Sequence, residues 1–477
     1  MIHTNLIDGE WLGSQDIVEN INPSDTREVV GLYTRATTRQ TEAAIAAAAA
    51  AFPAWSRSGV LQRHSILKKT ADELLARKDE LGALLAREEG KTLPEAIAET
   101  VRAAQVFDFF AGEALRLVGQ VLPSVRPNIG IEITREPLGP IGVITPWNFP
   151  MAIPAWKIAP ALCHGNTVVF KPAELVPGSA WALVDILHRA GLPNGVLNLV
   201  MGQGSVVGQA MLNSDALVGI TFTGSTGTGN RVALASLEHH RKIQLEMGGK
   251  NPMVVLDDAD LDIAVEACVS SAFFSTGQRC TAASRLIVTD GIHDRFVGAL
   301  IARLDVLNVD HALKPGSHIG PVVDAQQLAS NLNYIDIGKQ QGARLAFGGD
   351  CLNRGTPGFY LQPTLFTEAS NAMRICREEI FGPVAAVIRV RDYDEALAVA
   401  NDTPFGLSSG IVTTSLKHAS DFKRNAQAGM VMVNLSTAGV DFHVPFGGRK
   451  ASSYGPREQG QYAAEFYTTV KTAYTSA

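Results

Sequence analysis

Two successive runs of alternating strand-like and helix-like segments constrain the fold of this 477-residue chain more than any other feature. The first run begins at Pro140 with the apolar segment IGVITPWNF, and helix-like segments at 155–163 and 178–190 separate its strands. The second run begins at Asn251 with NPMVVLDD and continues in the same rhythm. Strand–helix–strand units with apolar strands form parallel sheets that helices cover. The sequence therefore predicts an α/β fold with two doubly wound domains and a ligand-binding cleft between them.

The segments outside these runs predict an amino-terminal helical region and a small separate sheet. Helices are predicted at 41–55 with Thr41 as the cap, at 60–90 and at 93–114, after short strands near 6–12 and 29–32. The segment NIGIEITREPLG (128–139) and the tail segment EFYTTVKTAYT (465–475) alternate apolar and polar residues, as strands do. We expect these two segments to pair with each other and to form an oligomer contact.

Charge and cysteine usage argue against several function classes. The 41 basic and 47 acidic residues form no block of like charge, so no nucleic-acid surface is expected. No apolar stretch reaches the ~18 residues of a membrane-spanning helix, and the first residues lack the pattern of a signal peptide. The five cysteines are widely spaced and the histidines are scattered, which argues against disulfides and against any metal site. We therefore expect a cytoplasmic protein without a membrane or metal partner.

Cys280 has an unusually polar sequence context for a cysteine. The segment FFSTGQRCTA (273–282) places it at the end of a predicted helix and directly after Arg279. Most intracellular cysteines are buried apolar residues, whereas a nucleophilic cysteine needs a thiolate and a polar, electropositive setting. We expect Arg279 and a bound cationic cofactor to lower its pKa. A cysteine hydrolase with a histidine distant in sequence is an alternative interpretation.

Two segments at predicted strand ends fit a nucleotide. FTGSTGTG (222–229) follows a strand and opens a helix, which is where backbone amides approach a phosphate, although a tight turn would look the same. In FKPAE, Lys171 and Glu174 follow a strand and can hold the hydroxyls of a ribose. An ordinary surface ion pair is the alternative for these two residues.

Three further residues have a chemical and a plain structural interpretation. Asn148 in PWNFP is fixed between two prolines and can donate to a developing oxyanion, or it can simply stabilise a turn. Glu246 in LEMGGKNP precedes a glycine pair and can act as a general base, and Glu379 in EEIFGP is similar. Both acids can equally be solvated carboxylates at strand ends.

Taken together and in this order, seven segments make the chain resemble the aldehyde dehydrogenase superfamily over essentially its whole length. These segments are PWNFP, FKPAE, FTGST, LEMGGKNP, GQRC, EEIFGP and PFGGRK. The resemblance implies a Rossmann-like cofactor domain (1–118 and 138–248), a catalytic α/β domain (249–447) and a small β oligomerisation flap (119–137 and 448–477). It also implies a homo-oligomer, either a dimer or a homotetramer.

The resemblance also implies a role for individual residues in the oxidation of an aldehyde to a carboxylic acid. Cys280 matches the nucleophile and Glu246 the general base, while Asn148 and the backbone amide of Cys280 match the oxyanion hole. The residues that match cofactor contacts are Trp147, Lys171, Glu174, Gly224, Ser225, Glu379 and Phe381. Glu174 favours NAD over NADP, because a carboxylate near the 2′ position repels a 2′-phosphate.

The substrate implied by the resemblance is an aldehyde that carries a carboxylate. The segments around Cys280 and the carboxyl terminus resemble the α-ketoglutaric semialdehyde (2,5-dioxopentanoate) dehydrogenase branch most. Trp156 occupies the position at which many succinic semialdehyde dehydrogenases carry a carboxylate-binding arginine. Arg279 is the candidate to replace it, with a structural ion pair as the alternative, and Phe149, Trp156 and Phe442 would form apolar walls. Succinic or glutaric semialdehyde, an uncharged aliphatic aldehyde and a non-catalytic fold derivative remain alternatives.

Overall fold

The computed structural model describes residues 1–476, and its amino-terminal part contains five short strands followed by four helices. These elements are β1 (Ile2–His3), β2 (Asn5–Ile7), β3 (Glu10–Leu12), β4 (Ile17–Asn22), β5 (Asp25–Thr34), α1 (Thr38–Trp55), α2 (Val60–Ala76), α3 (Lys78–Glu89) and α4 (Leu93–Ala114). The cap of α1 is Thr37 and not Thr41 as the sequence predicts. The reason is a capping box, in which the Thr37 side chain accepts from the Gln40 backbone and the Gln40 side chain accepts from the Thr37 backbone.

The first strand–helix run forms most of an eight-stranded sheet. Its segment of the chain contains β6 (Gln120–Pro123), β7 (Ile129–Pro137), β8 (Pro140–Ile144), α5 (Ala152–Cys163), β9 (Thr167–Lys171), α6 (Pro177–Arg189), β10 (Leu197–Leu199), α7 (Gln209–Asn213), β11 (Gly219–Thr223), α8 (Thr226–Glu238) and β12 (Lys242–Glu246). A single turn of π-helix, Gly204–Gly208, precedes α7. The strand order is β20-β12-β11-β8-β9-β10-β2-β3, with β12 to β10 parallel. The strand predicted near 29–32 is part of β5, which lies in a separate sheet of order β1-β5-β4.

The second run forms a seven-stranded sheet. Its segment contains β13 (Asn251–Val255), α9 (Leu261–Ala272), β14 (Ala283–Thr289), α10 (Asp290–Asp305), α11 (Ala325–Gln340), β15 (Arg344–Phe347), β16 (Thr364–Thr367), α12 (Arg374–Arg377), β17 (Val384–Val390), α13 (Tyr393–Asn401), β18 (Ser408–Val412), α14 (Leu416–Asn425) and β19 (Met430–Val433). The order is β15-β16-β17-β14-β13-β18-β19, and every pair except β15–β16 is parallel. The strands β13 and β18 are buried throughout, as expected for a sheet that helices cover on both faces.

The carboxyl-terminal part returns to the first sheet before it reaches the third. It contains β20 (Ser453–Tyr454), α15 (Ala464–Tyr467) and β21 (Thr468–Ser476), with short 3-10 turns at Lys450–Ser452 and Gln461–Ala463. The strand β20 pairs with β12, so part of the predicted flap segment 448–477 belongs to the eight-stranded sheet. The predicted pairing of 128–139 with the tail is confirmed, because β21 lies antiparallel to β7 in a sheet of order β21-β7-β6.

The prediction of an α/β fold with two largely parallel sheets and a small β flap is confirmed by this topology. Each main sheet has an apolar core of its own, formed by side chains from the buried strands and the helices that cover them. The three-domain division at the boundaries given above stays a prediction. Within residues 1–476, no helix is long and apolar enough to cross a bilayer.

Candidate active site

A cavity of about 500 Å³ contains Cys280 in its wall. One face of α4, the start of α5, the loop that carries Cys280 and the segment 438–446 enclose it. Its polar and charged lining includes Lys91, Glu95, Glu99, Arg102, Gln105, Ser270, Ser275, Arg279, Thr281 and Gln459. Its apolar lining includes Phe149, Ile153, Trp156, Val440 and Phe446. An apolar pocket with a few convergent polar groups is the usual form of a small-molecule site.

Cys280 reaches this cavity because the chain turns sharply after α9. The helix ends at Ala272, and a short 3-10 turn follows. Ser275, Thr276 and Gly277 have φ values of 50°, 58° and 64°, in the left-handed region. A Cβ atom on Gly277 would lie 2.2 Å from the Gly382 carbonyl oxygen, so only glycine fits there.

The loop that carries Cys280 is then fixed by Asn251 at the start of β13. The Asn251 amide donates to the carbonyls of Cys280 at 2.7 Å and Ala282 at 2.9 Å. Its Oδ1 atom accepts from the backbone of Ser408 at 3.0 Å. The sulfur atom is thus held on rigid elements of the seven-stranded sheet.

The Cys280 thiol has a raised pKa in this structure, which corrects the expectation that Arg279 lowers it. Burial raises the pKa of Cys280 to about 12, and the negative charges of Glu379 and Glu246 add to this effect. The backbone N–H groups of Cys280 and Thr281 act in the opposite direction. Arg279 contributes little because its own charge is matched by Glu95 at 3.0 Å.

Asn148 lies beside the Cys280 loop. Its Nδ2 atom donates to the carbonyl of Gln278 at 3.0 Å, two residues before the cysteine. Its own carbonyl accepts from the Lys91 ammonium at 2.6 Å. Glu99 accepts from the backbone of Met151 at 2.9 Å and therefore holds the PWNFP loop at the start of α5. The side-chain amide is consequently fixed close to the cysteine, as an oxyanion donor must be.

Glu246 is buried at the end of β12. Its Oε2 atom accepts from the Ser453 hydroxyl at 2.6 Å. Burial and the nearby carboxylate of Glu458 raise its pKa well above the ordinary value. Glu458 in turn accepts from the Lys157 ammonium, which also donates to Thr221 at 2.7 Å. Glu246 therefore belongs to a buried group of interacting charges, and its own charge also acts on Cys280.

The predicted nucleotide residues meet at one edge of the eight-stranded sheet. The registers align Ile144 with Lys171 and Phe222, and Thr223 with Glu246, so the carboxyl ends of four parallel strands lie side by side. This edge is where doubly wound folds bind dinucleotides.

The residues at this edge fit a dinucleotide. Ser225 caps α8, and its side chain accepts from the backbone of Thr228 at 3.4 Å. A Cβ atom on Gly227 would meet no neighbour, so the first turn of α8 is open to an approaching phosphate. The buried Lys171 ammonium donates to the carbonyl of Pro172 at 3.2 Å, and Glu174 accepts from the Gly204 backbone at 3.3 Å.

Three other predicted cofactor residues lie in the segments after β8 and before β17. Trp147 and Phe381 contact each other edge to face, with ring centroids 5.3 Å apart. The buried Glu379 accepts from the Gly249 backbone at 2.9 Å, and burial raises its pKa to about 7. Gly224 donates its N–H to the carbonyl of Glu246 at 3.0 Å. This hydrogen bond joins the turn before α8 to the end of β12.

Three of the four predicted substrate residues line the cavity. Arg279, Phe149 and Trp156 line the cavity, and Trp156 stacks on Phe446 with centroids 5.3 Å apart. Phe442 is not among the described residues that line it, since it packs against Phe109 at 6.2 Å instead. The wall that the sequence assigns to Phe442 is formed by Phe446.

Sequence reasoning missed the charged residues that α4 brings to the site. Glu95, Glu99 and Arg102 follow one another at helical spacing, which places them on one face of α4. That spacing could have indicated that the three charges share one face, but the same spacing is common on helices that face solvent. Lys157 and Glu458 were missed as well, because they are 301 residues apart in sequence and meet only in the fold.

Comparison with known proteins agrees with this arrangement. Residues 11–473 match the model of the aldehyde dehydrogenase family. The chain is 45% identical over 476 residues to an alpha-ketoglutaric semialdehyde dehydrogenase of Bacillus subtilis strain 168, covering 99% of this chain and 98% of the relative. It is 40% identical over 472 residues to a 2,5-dioxopentanoate dehydrogenase of Saccharolobus solfataricus, with 98% of each chain covered.

A solved structure gives the same result. A crystal structure of betaine aldehyde dehydrogenase from Staphylococcus aureus in complex with NAD+ superposes with a TM-score of 0.97 at 33% sequence identity. The match covers 99% of this chain and 95% of that one. Fold and comparisons together define an oxidoreductase that uses a nicotinamide cofactor. The chain belongs to the aldehyde dehydrogenase family and is an NAD(P)-dependent aldehyde dehydrogenase, which sets the cysteine hydrolase alternative aside.

Proposed function

We propose that this enzyme oxidises α-ketoglutaric semialdehyde to 2-oxoglutarate. The observation that carries the proposal is the charge of the cavity beside Cys280, where three cations face two carboxylates. A cavity with an unmatched positive charge favours an aldehyde whose far end carries a carboxylate. The names of the relatives from Bacillus subtilis and Saccharolobus solfataricus support the same substrate.

Cys280 is the nucleophile in the proposed mechanism. Its thiolate adds to the aldehyde carbon, and the resulting oxyanion accepts hydrogen bonds from the Asn148 amide and the Cys280 backbone N–H. In the structure, the Asn148 amide donates to the Gln278 carbonyl. In the reaction, the oxyanion replaces this carbonyl as the acceptor. When bound, a nicotinamide ring would supply a positive charge and an acceptor for the hydride, whose loss from the aldehyde carbon would leave a thioester on Cys280.

Glu246 is the general base for the second half of the reaction. Its carboxylate removes a proton from water, and the water attacks the thioester on Cys280 to release the carboxylic acid. The base is poised for this because burial and Glu458 raise its pKa, which makes the carboxylate more basic than one in water. Ser453 holds one of its oxygens and leaves the other for the water.

Replacing Glu458 with glutamine is expected to move the acidic limb of kcat to lower pH by about one unit. Glu246 must lose its proton to act, so kcat rises with pH through its raised pKa. The change removes a negative neighbour and leaves the Lys157 charge unbalanced, and both effects lower the pKa of Glu246. The measurement is kcat against pH for both proteins. A limb that stays in place or moves to higher pH would show that Glu458 does not set the pKa of the base.

We propose NAD+ as the preferred cofactor, with NADP+ as the weaker alternative. Trp147, Glu379 and Phe381 would contact the nicotinamide half, and Lys171, Glu174, Gly224 and Ser225 the adenosine and phosphate half. Glu174 supports this preference, because its carboxylate would repel a 2′-phosphate. It lies just after β9, whose last residue is Lys171. Arg35 lies 3.8 Å from Glu174 and reduces its charge only in part, at a partly exposed position.

We propose that the enzyme is a cytoplasmic homo-oligomer, a dimer or a tetramer. The sheet of β6, β7 and β21 supports this, because it exposes the apolar side chains of Val121, Val470 and Tyr474. The cytoplasmic location is supported by the five cysteines, all of which are free thiols.

The substrate proposal is tested with a panel of aldehydes at saturating NAD+. α-Ketoglutaric semialdehyde is expected to exceed pentanal, an uncharged aldehyde of equal chain length, in kcat/KM by about 100-fold. Succinic and glutaric semialdehydes, measured in parallel, report the preferred length and the need for the 2-oxo group. Equal kcat/KM values for the charged and uncharged aldehydes would contradict the proposal.

A further inference from the structure

We infer that Arg102, and not Arg279, binds the carboxylate of the substrate and sets the specificity for carboxylated aldehydes. This inference rests on the proposed function, since it identifies the residue that recognises the proposed substrate class. It starts from the five charged residues of the cavity, which are Lys91, Glu95, Glu99, Arg102 and Arg279. The ion pairs among these residues determine which cation has no carboxylate partner and can bind an anion.

The charge of Arg279 is matched by a protein carboxylate, although its buried Nε atom forms no hydrogen bond. Its Nη2 atom donates to Glu95 at 3.0 Å and to the Ser275 hydroxyl at 2.9 Å, while its Nη1 atom donates to the Ser270 carbonyl at 3.4 Å. The ion pair with Glu95 matches its charge inside the cavity wall. A substrate carboxylate that bound Nη2 would have to displace Glu95, which also accepts from the Ser275 backbone at 2.8 Å.

Lys91 is occupied in the same way. Its ammonium lies 2.7 Å from Glu99 and donates to the Asn148 carbonyl at 2.6 Å. It also lies 3.8 Å from the centroid of the Phe149 ring, in a cation–π contact. With its side chain buried, this cation holds the PWNFP loop and presents no free charge to the cavity.

Arg102 differs from both because no described carboxylate forms an ion pair with it. Its Nη2 atom donates to the Val440 carbonyl and to the Gln459 side chain at 3.2 Å, both neutral acceptors. Its remaining N–H donors, on Nε and Nη1, form no hydrogen bond with residues 1–476. Asp441 acts on it only at longer range, and burial lowers the pKa of Arg102 to about 10, so it keeps its charge at neutral pH.

The two carboxylates on the same face of α4 are not free to neutralise Arg102. Both oxygens of Glu99 are used, one by Lys91 and the other by the backbone of Met151 at 2.9 Å. Both oxygens of Glu95 are used as well, one by Arg279 and the other by the Thr92 hydroxyl at 2.9 Å. Arg102 is therefore the source of the unmatched positive charge, and its free donors suit a carboxylate.

The experiment compares α-ketoglutaric semialdehyde with pentanal in wild type and Arg102→Gln. The loss of a charged hydrogen-bonding partner is expected to lower kcat/KM for the semialdehyde by about 10- to 100-fold, mostly through KM. The value for pentanal is expected to change much less, because that aldehyde has no carboxylate to lose. Arg279→Ala serves as the comparison and is expected to lower both values alike, since Arg279 supports the loop of Cys280.

A second variant keeps Arg102 in place. Gln105 lies one turn further along α4 and lines the same cavity in an exposed position, so Gln105→Glu leaves the packing intact. The new carboxylate can pair with Arg102 at i, i+3 spacing. It is therefore expected to lower kcat/KM for the semialdehyde but not for pentanal. This variant decides the question if Arg102→Gln does not fold.

The outcomes separate the two proposals. If wild type does not prefer the semialdehyde, the proposed function fails, and the carboxylate role of Arg102 fails with it. If wild type prefers it and both Arg102→Gln and Gln105→Glu keep the preference, the inference about Arg102 is overturned while the function stands. A selective loss in Arg279→Ala would likewise overturn it. A selective loss in Arg102→Gln or Gln105→Glu, with none in Arg279→Ala, supports the inference.

Discussion

Replacing Cys280 with serine is expected to lower aldehyde oxidation by about four orders of magnitude, to the limit of detection. The hydroxyl is a far weaker nucleophile than a thiolate, and no other cysteine among residues 1–476 lines the cavity. The change is small enough to preserve the loop, which Asn251 holds through backbone carbonyls that the substitution leaves in place. The measurement is the absorbance of reduced nicotinamide at saturating aldehyde.

Cofactor binding is the control for this variant. NAD+ is expected to quench the protein fluorescence of Cys280→Ser as it does in wild type, because the nucleotide residues lie on the eight-stranded sheet. Cys351→Ser is the matched substitution, since Cys351 is exposed and lies outside the site, and it is expected to keep full activity. Turnover in Cys280→Ser above one tenth of wild type would rule Cys280 out as the nucleophile.

The sequence was sufficient to predict the sheets and the strand ends that meet at one edge, because parallel strands impose their own geometry. Lys171 and Glu246 each end a strand and Ser225 follows one, and the carboxyl ends of parallel strands must meet at one edge. Alternation of apolar and polar residues likewise predicted the pairing of β7 with β21, although the two strands stand far apart in the chain. These features depend on local pattern, which a single sequence contains.

The charges around Cys280 could not be predicted because they depend on partners from distant segments. Arg279 looked like a group that activates Cys280 or binds the substrate, yet Glu95, 184 residues away, matches its charge. The pKa of Cys280 is raised for the same reason, since burial and two carboxylates act on it without a compensating cation. In the sequence, Arg102 looks like any charged residue on a helix. Only the fold shows that no described carboxylate pairs with it.

Replacing Glu246 with glutamine is expected to separate the two halves of the reaction. Formation of the thioester does not require the base, whereas its hydrolysis does, so one equivalent of reduced cofactor per active site should form rapidly. Steady-state kcat is expected to fall by about three orders of magnitude. The glutamine keeps the size of the side chain and can still accept from Ser453, so the buried position remains filled.

Rapid mixing and mass spectrometry check this expectation together. The burst amplitude gives the amount of reduced cofactor formed in the first turnover, and the mass of the intact protein shows whether the acyl group stays on the enzyme. Glu266→Gln is the matched control, because Glu266 lies on α9 in a surface ion pair with Arg303 and is expected to leave kcat unchanged. If Glu246→Gln kept the steady-state kcat of wild type, the water-activating role would be wrong. If it lost the burst together with turnover, Glu246 would have to act before hydrolysis, and that role would again be wrong.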